Sequence, residues 1–445
     1  MSFYVSLVSL GCSKNLVDSE VMVNILSNNK YKMTDDVNKA DIIIVNTCGF
    51  IESAKQESID SILDMGQLKE SGGCKVLIAS GCMAERYKDE LMKEMPELDA
   101  VIGTGDYKNI LEVIEQALAG NKVVKYGNQE AIDIDELPRT LSGLGVSAYL
   151  KIAEGCDNRC TYCIIPQLRG RFRSRSFENI IKEANMLAAN GIKELNIIAQ
   201  DTTKYGIDLY GRYRIAELLA ELSKIDGIQW IRLLYSYPDA FSDELINIIA
   251  ENDKLCKYLD IPVQHASNKI LKKMNRKSSK EAIELLIKKL RGRIPDISLR
   301  TSLIVGFPGE SREDFEELYE FVKNTRFDRL GVFTYSREEE TPAYKLTEQL
   351  DEDTKLERQN RIMELQQRIS LENNMNLVGR TLKVLIEGME DNRYIGRSYK
   401  DAPEIDGIVY VSSKRNLLPG EFYFVRITEA YEYDLMGEIA DELSQ

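Results

Sequence analysis

The chain has 445 residues, 43% hydrophobic and 29% charged, with a formal net charge of −14 at pH 7. That length implies about three domains, no apolar run approaches the ~18 residues that cross a bilayer, and the acidic balance disfavours a nucleic-acid partner, whose phosphates call for clustered Lys and Arg. Residues 1–8 lack the basic region and cleavage site of a secretory signal, so the eight cysteines are expected as thiols or ligands in a reducing cytoplasm.

Residues 1–125 alternate β-branched runs with amphipathic stretches, the pattern of a parallel sheet covered by helices. Strands are predicted at 4–9, 41–46, 75–80 and 100–102, and helices at 15–26, 51–68, 84–93 and 107–118. Cysteines follow the first three strands: Leu10-Gly11-Cys12, Thr47-Cys48-Gly49 and Ser80-Gly81-Cys82. In an open parallel sheet all carboxyl ends lie along one edge, where ligands bind, so Cys12, Cys48 and Cys82 should converge into a three-thiolate site. Cys74 opens its strand at the opposite edge and is expected to be a small buried hydrophobe.

Residues 126–147 lose the pattern around Asp133-Ile134-Asp135-Glu136, Pro138 and Gly143-Leu144-Gly145, and read as a linker. From 148 to 377 the strand–helix rhythm resumes, with strands predicted at 149–153, 195–199, 230–234, 258–263, 298–306 and 330–335. Six such units suggest a partial or complete barrel of parallel strands, followed by a charged helix over 351–377.

The loop after the first of these strands carries Cys156, Cys160 and Cys163, spaced C-x-x-x-C-x-x-C. Thiolate is the soft donor that iron–sulfur clusters prefer, and three protein ligands leave one metal corner open for chemistry. A zinc knuckle with a distant fourth ligand is the competing reading, although zinc usually recruits C-x-x-C pairs. The same barrel face should carry Gln200 and Asp201, Tyr235, Gln264, the sole histidine His265, and Gly306-Phe307-Pro308-Gly309-Glu310. Each is equally a turn or cap residue, and His265 is open to both a general-base role and a satisfied buried one. Cys256, preceding the fourth strand, reads as structural.

Residues 378–445 show short β runs at 382–386, 393–398, 407–411 and 422–430, the pattern of a small Greek-key barrel. This segment holds eight basic and thirteen acidic residues, a poor footprint for RNA and a better one for a basic protein.

With these motifs in place the whole chain resembles the methylthiotransferase family of radical S-adenosylmethionine enzymes. The resemblance implies an α/β fold in three parts: an amino-terminal parallel-sheet cluster domain (1–125), a radical barrel of the partial (β/α)6 TIM-like type (148–377), and a terminal β-barrel of the type called TRAM (378–445). It further implies two four-iron four-sulfur clusters and S-adenosylmethionine. Cys156, Cys160 and Cys163 match the radical motif, and Cys12, Cys48 and Cys82 the ligands of the second cluster. Tyr162 matches the aromatic position near the adenine, and Gln200 is placed among the cofactor-binding residues.

Ser13-Lys14, Gln200-Asp201-Thr202-Thr203 and Gln264-His265-Ala266-Ser267 are similar to the branch that modifies an aspartate β-carbon of the basic ribosomal protein S-twelve. The tRNA-adenosine branch tends to have Gln-Met at the first position and is disfavoured, and a non-catalytic iron–sulfur protein is the third reading. A cofactor must carry such chemistry. A flavodoxin- or ferredoxin-like reductant and a sulfur donor are implied as further partners, and no membrane.

Overall fold

The structure is a computed structural model that describes residues 3–440 apart from 132, 133, 136, 137 and 144. Its first sheet consists of β1 (Phe3–Ser9), β2 (Tyr31–Met33), β3 (Ile42–Thr47), β4 (Val76–Gly81), β5 (Ala100–Ile102) and β6 (Val123–Lys125). All pairings are parallel, in the order β2-β1-β3-β4-β5-β6. β3 and β4 are wholly buried because helices cover both faces. α1 (Ser13–Ser27) and α4 (Ile110–Leu118) cover one face through Val21, Met22, Ile110 and Val113, while α2 (Glu52–Glu70) and α3 (Cys82–Glu94) cover the other through Ile62, Met83 and Leu91. The edge strands β2 and β6 escape the sequence pattern, since three residues are too few for a period-two alternation to register.

Of the stretch read as a linker, Asp133, Glu136 and Leu144 lie outside the described residues. Its described part is pinned down: buried Arg139 donates to Glu20 of α1, to Glu183 at 2.8 Å and to the Tyr149 carbonyl.

The second sheet comprises β7 (Ser147–Lys151), β10 (Glu194–Ile198), β11 (Trp230–Leu233), β12 (Leu255–Asp260), β13 (Ser298–Val305) and β14 (Arg329–Thr334), with a small antiparallel pair, β8 (Ala153–Glu154) and β9 (Arg173–Ser174), above it. β7 begins one residue inside the stretch assigned to the linker. The order is β14-β13-β12-β11-β10-β7, parallel throughout and open, so the barrel is a partial one. β12 starts three residues earlier than expected and stops before Pro262, which has no N–H to continue a ladder. Cys256, expected before this strand, is its second residue and is buried.

One face of this sheet packs Leu150, Leu195, Ile231, Leu259 and Leu303 against its helices. The opposite face packs Tyr149, Ile198, Trp230 and Tyr258 against Val17 of α1 and against Leu385 and Ala402 of the terminal barrel. That terminal unit is a closed barrel of β15 (Thr381–Glu390), β16 (Arg393–Ser398), β17 (Val409–Ser412), β19 (Leu435–Ile439) and β18 (Phe422–Ala430), in this spatial order. β19 goes unannounced in the sequence because Glu432, Asp434 and Glu438 mask the alternation of Leu435, Gly437 and Ile439.

Candidate functional site

Cys12 caps α1 just after β1, Cys48 follows β3 directly, and Cys82 opens α3 straight after β4. Because β1, β3 and β4 are adjacent and parallel, the three thiols gather at one sheet edge. Burial pushes the Cys82 thiol up to about 12; Arg169 pulls against that rise, and Cys12 and Cys48 add to it. Burial also raises Cys48, with Cys12 adding. Cys74 behaves as expected of a buried hydrophobe: it is 5% exposed and its Sγ faces the Val76 carbonyl at 3.2 Å.

Cys156, Cys160 and Cys163 occupy the loop after β8. Gly155 shapes its entrance: φ is +76°, and a Cβ there would overlap the Arg171 carbonyl. The loop is held by Cys156 N–H donating to the Gly170 carbonyl at 3.2 Å, and by Thr161 N–H donating to Met274 O at 3.1 Å. Burial raises Cys156 to about 11 and raises Cys163 as well, Cys160 adding in both cases. All eight cysteines are free thiols.

Each triad has one arginine turned towards it, Arg169 buried and Arg276 half-buried. Arg276 Nη1 lies 3.9 Å from Cys160 Sγ, with its guanidinium stacked 3.9 Å over the Tyr237 ring. Arg169 closes α5 (Ile165–Arg169), the short helix after Cys163, and its Nη2 reaches Cys82 Sγ at 3.6 Å and Asn15 Oδ1 at 2.5 Å. Burial works against both charges, but the neighbouring Cys, Tyr, Asp and Glu groups outweigh it and keep both guanidiniums protonated. Neither arginine was expected from the sequence. For Arg169 the only trace is a charged residue ending the mostly apolar stretch Ile164-Ile165-Pro166-Gln167-Leu168.

The two triads are close neighbours. Ile164, next to Cys163, packs with Leu168 against Cys82. Beside them runs a buried charge network in which Asp18 and Glu154 each accept from Lys151 and Arg169 at 2.6–3.2 Å. These partners hold Glu154 well below the usual carboxylate range despite its burial.

Gln200 joins this network, its Nε2 donating to Glu154 at 2.7 Å while its Oε1 has no partner among the described residues. Asn196 and Ser236 also present buried polar atoms unpartnered among the described residues. Tyr162 packs beside Phe307, Tyr335 and Met274. His265 is fully buried; its Nδ1 accepts from Ser267 N–H at 2.9 Å, and Glu310 lies 3.6 Å from Nε2. Nε2 has no hydrogen-bond partner among the described residues.

Among the described residues no set of three His, Cys, Asp or Glu is gathered tightly enough for a single metal ion. Thiolates around a multi-iron cluster each bind a different iron, so they stand further apart, and an all-thiolate set is the donor chemistry of such clusters. Both triads fit that group better than they fit zinc.

Comparison with known proteins agrees with this layout. Residues 4–103 match the Uncharacterized protein family UPF0004, 150–322 the Radical SAM superfamily and 378–440 the TRAM domain. A relative from Clostridioides difficile (strain 630), named ribosomal protein uS12 methylthiotransferase RimO, is 55% identical over 99% of this chain and 99% of its own. A Caldanaerobacter subterraneus protein of the same name is 56% identical over 98% and 99%. Among solved structures, the radical S-adenosylmethionine methyltransferase TsrM from Kitasatospora setae shares the fold, with a TM-score of 0.58 at 15% identity over 77% of this chain and 74% of that one. By these full-length likenesses the chain belongs to the RimO family of radical SAM methylthiotransferases.

Proposed function

We propose that this protein transfers a methylthio group to the β-carbon of an aspartate in ribosomal protein uS12, using two four-iron four-sulfur clusters and S-adenosylmethionine. The observation that carries this reading is the proximity of the two triads: Ile164, the residue after Cys163, packs with Leu168 against Cys82. Two such clusters would supply, respectively, the electron that cleaves S-adenosylmethionine and the sulfur that is inserted. Cys156, Cys160 and Cys163 would hold the first, Cys12, Cys48 and Cys82 the second. A reductant and a sulfur donor are required as partners.

The chain's own residues shape this reaction. Arg276 and Arg169 place positive charge against Cys160 and Cys82, offsetting the negative charge that thiolate ligation builds up. Tyr162 and its apolar neighbours suit the adenine, and the free Gln200 Oε1 suits a polar group of S-adenosylmethionine. The acidic terminal barrel suits a basic protein substrate.

Anaerobically reconstituted protein with reductant and S-adenosylmethionine should add methylthio mass to a uS12 peptide and none to tRNA. Replacing Cys156, Cys160 and Cys163 by Ala should abolish 5'-deoxyadenosine formation. Replacing Cys12, Cys48 and Cys82 should stop methylthio transfer while deoxyadenosine still forms. Mass gained on tRNA alone, or no deoxyadenosine from the wild type, would overturn the reading.

A further inference from the structure

Lys14 is 6% exposed in the first turn of α1, two residues after Cys12. A cation there faces the positive end of the helix dipole, and the first turn contains no acidic residue to offset it. Three buried cations of this region have carboxylates: Lys151 and Arg169 share Asp18 and Glu154, and Arg232 has Glu194.

Among the described residues Lys14 makes no hydrogen bond or ion pair. Its Nζ instead lies 2.8 Å from the centroid of the Tyr235 ring. Tyr235 sits in the loop after β11 with φ +56°, and its hydroxyl is 3.5 Å from Ser13 Oγ. An ammonium with only a ring face for company among the described residues is open to an anion. It lies two residues from Cys12 and against the Tyr235 loop at the carboxyl edge of the second sheet.

We propose that Lys14 anchors the side-chain carboxylate of the substrate aspartate, with Tyr235 holding the ammonium in place before that carboxylate arrives. The assignment rests on the aspartate-directed function above and names the residue that reads this substrate. The β-carbon is bonded directly to the gripped carboxylate carbon, so the pair fixes the reacting atom beside the Cys12 loop. An adenosine substrate has no carboxylate to offer at this position. The methionyl carboxylate of S-adenosylmethionine is the other anion that could reach Lys14, and the test separates the two.

Binding to full-length reconstituted protein is measured for a uS12 peptide carrying the target aspartate and for the same peptide with asparagine there. Wild-type protein should favour the aspartate peptide by roughly ten- to a hundredfold, the range for a hydrogen bond to a charged group. Lys14→Gln should bind the two peptides alike, and Lys14→Arg should restore much of the preference. A Lys14→Gln protein that keeps the wild-type preference overturns the anchor. So does one that loses affinity for S-adenosylmethionine while its peptide preference stands, or a wild type indifferent to the asparagine change. These results are distinct from absence of methylthio transfer by the wild type, which overturns the function itself.

Discussion

Arg169 links more parts of this molecule than any other single residue of the site. Its guanidinium touches Cys82, Asn15 and Asp18 of the first domain and Glu154 of the second. Removing one partner from a buried charge network leaves the others uncompensated, so Arg169→Met should lower stability by about 3 kcal/mol. Chemical denaturation of the full chain measures this, and a loss below about 1 kcal/mol would mean the network is screened like a surface pair. Arg169→Lys should recover only part, because one ammonium cannot serve Cys82, Asn15 and Asp18 from a planar fork. At this scale the six cysteines were legible, since short spacing marks one triad and equivalent strand ends mark the other. Arg169 and Arg276 were not, because one arginine among 58 basic residues reads as a solvated charge until the fold buries it.

The strand–turn–helix element explains why the first triad can be assembled from distant parts of the chain. Gly81 is the N-cap of α3, with φ +88° and ψ −152°, a region open essentially to glycine alone. A Cβ there would also strike the Asn46 side chain and come within 2.7 Å of the Thr47 carbonyl. Asn46 has little room to give way, because its amide donates to Asn15 O at 2.9 Å and Ser19 Oγ at 2.8 Å. Gly81→Ala should therefore cost about 3 kcal/mol, combining backbone strain with the clash. Iron content should drop to what the Cys156 triad holds alone; a variant that loads as fully as wild type would show the turn to be adaptable. Most elements were legible because their runs are long enough for a period to show. β2, β6 and β19 were missed for want of length or because acidic neighbours hide the alternation. The start of β12 slipped because Leu255 and Cys256 read equally well as loop and as strand.

At the scale of the whole molecule, the second sheet is gripped at both ends of one face, by α1 near the cysteine loops and by the terminal barrel near the strand starts. Glu194 is the centre of the second grip. It is fully buried at the first residue of β10, and it receives Arg397 at 2.6 Å, Arg232 at 3.1 Å and Ser147 Oγ at 2.6 Å. Around it Arg329 pairs with Asp401 at 2.5 Å, Tyr258 donates to Asp406 at 2.7 Å, and Trp230 meets Phe422 edge-on at 4.7 Å. This docking was illegible in the sequence because its partners stand 72 to 203 positions apart and its charged members look like ordinary surface charges. Burial alone would raise the Glu194 carboxyl, yet Arg397 and Arg232 outweigh it and bring it from 4.5 down to about 2. A carboxyl with a depressed folded pKa adds stability that is complete above 4.5 and fades as pH falls from 4.5 towards about 2. Glu194→Gln removes that contribution at every pH and leaves two guanidiniums facing each other, at a cost of about 3–5 kcal/mol near neutrality. Denaturation curves between pH 7 and pH 3 should thus converge for wild type and variant as acid is added. Parallel curves across that range would show that Glu194 does not hold the terminal barrel in place.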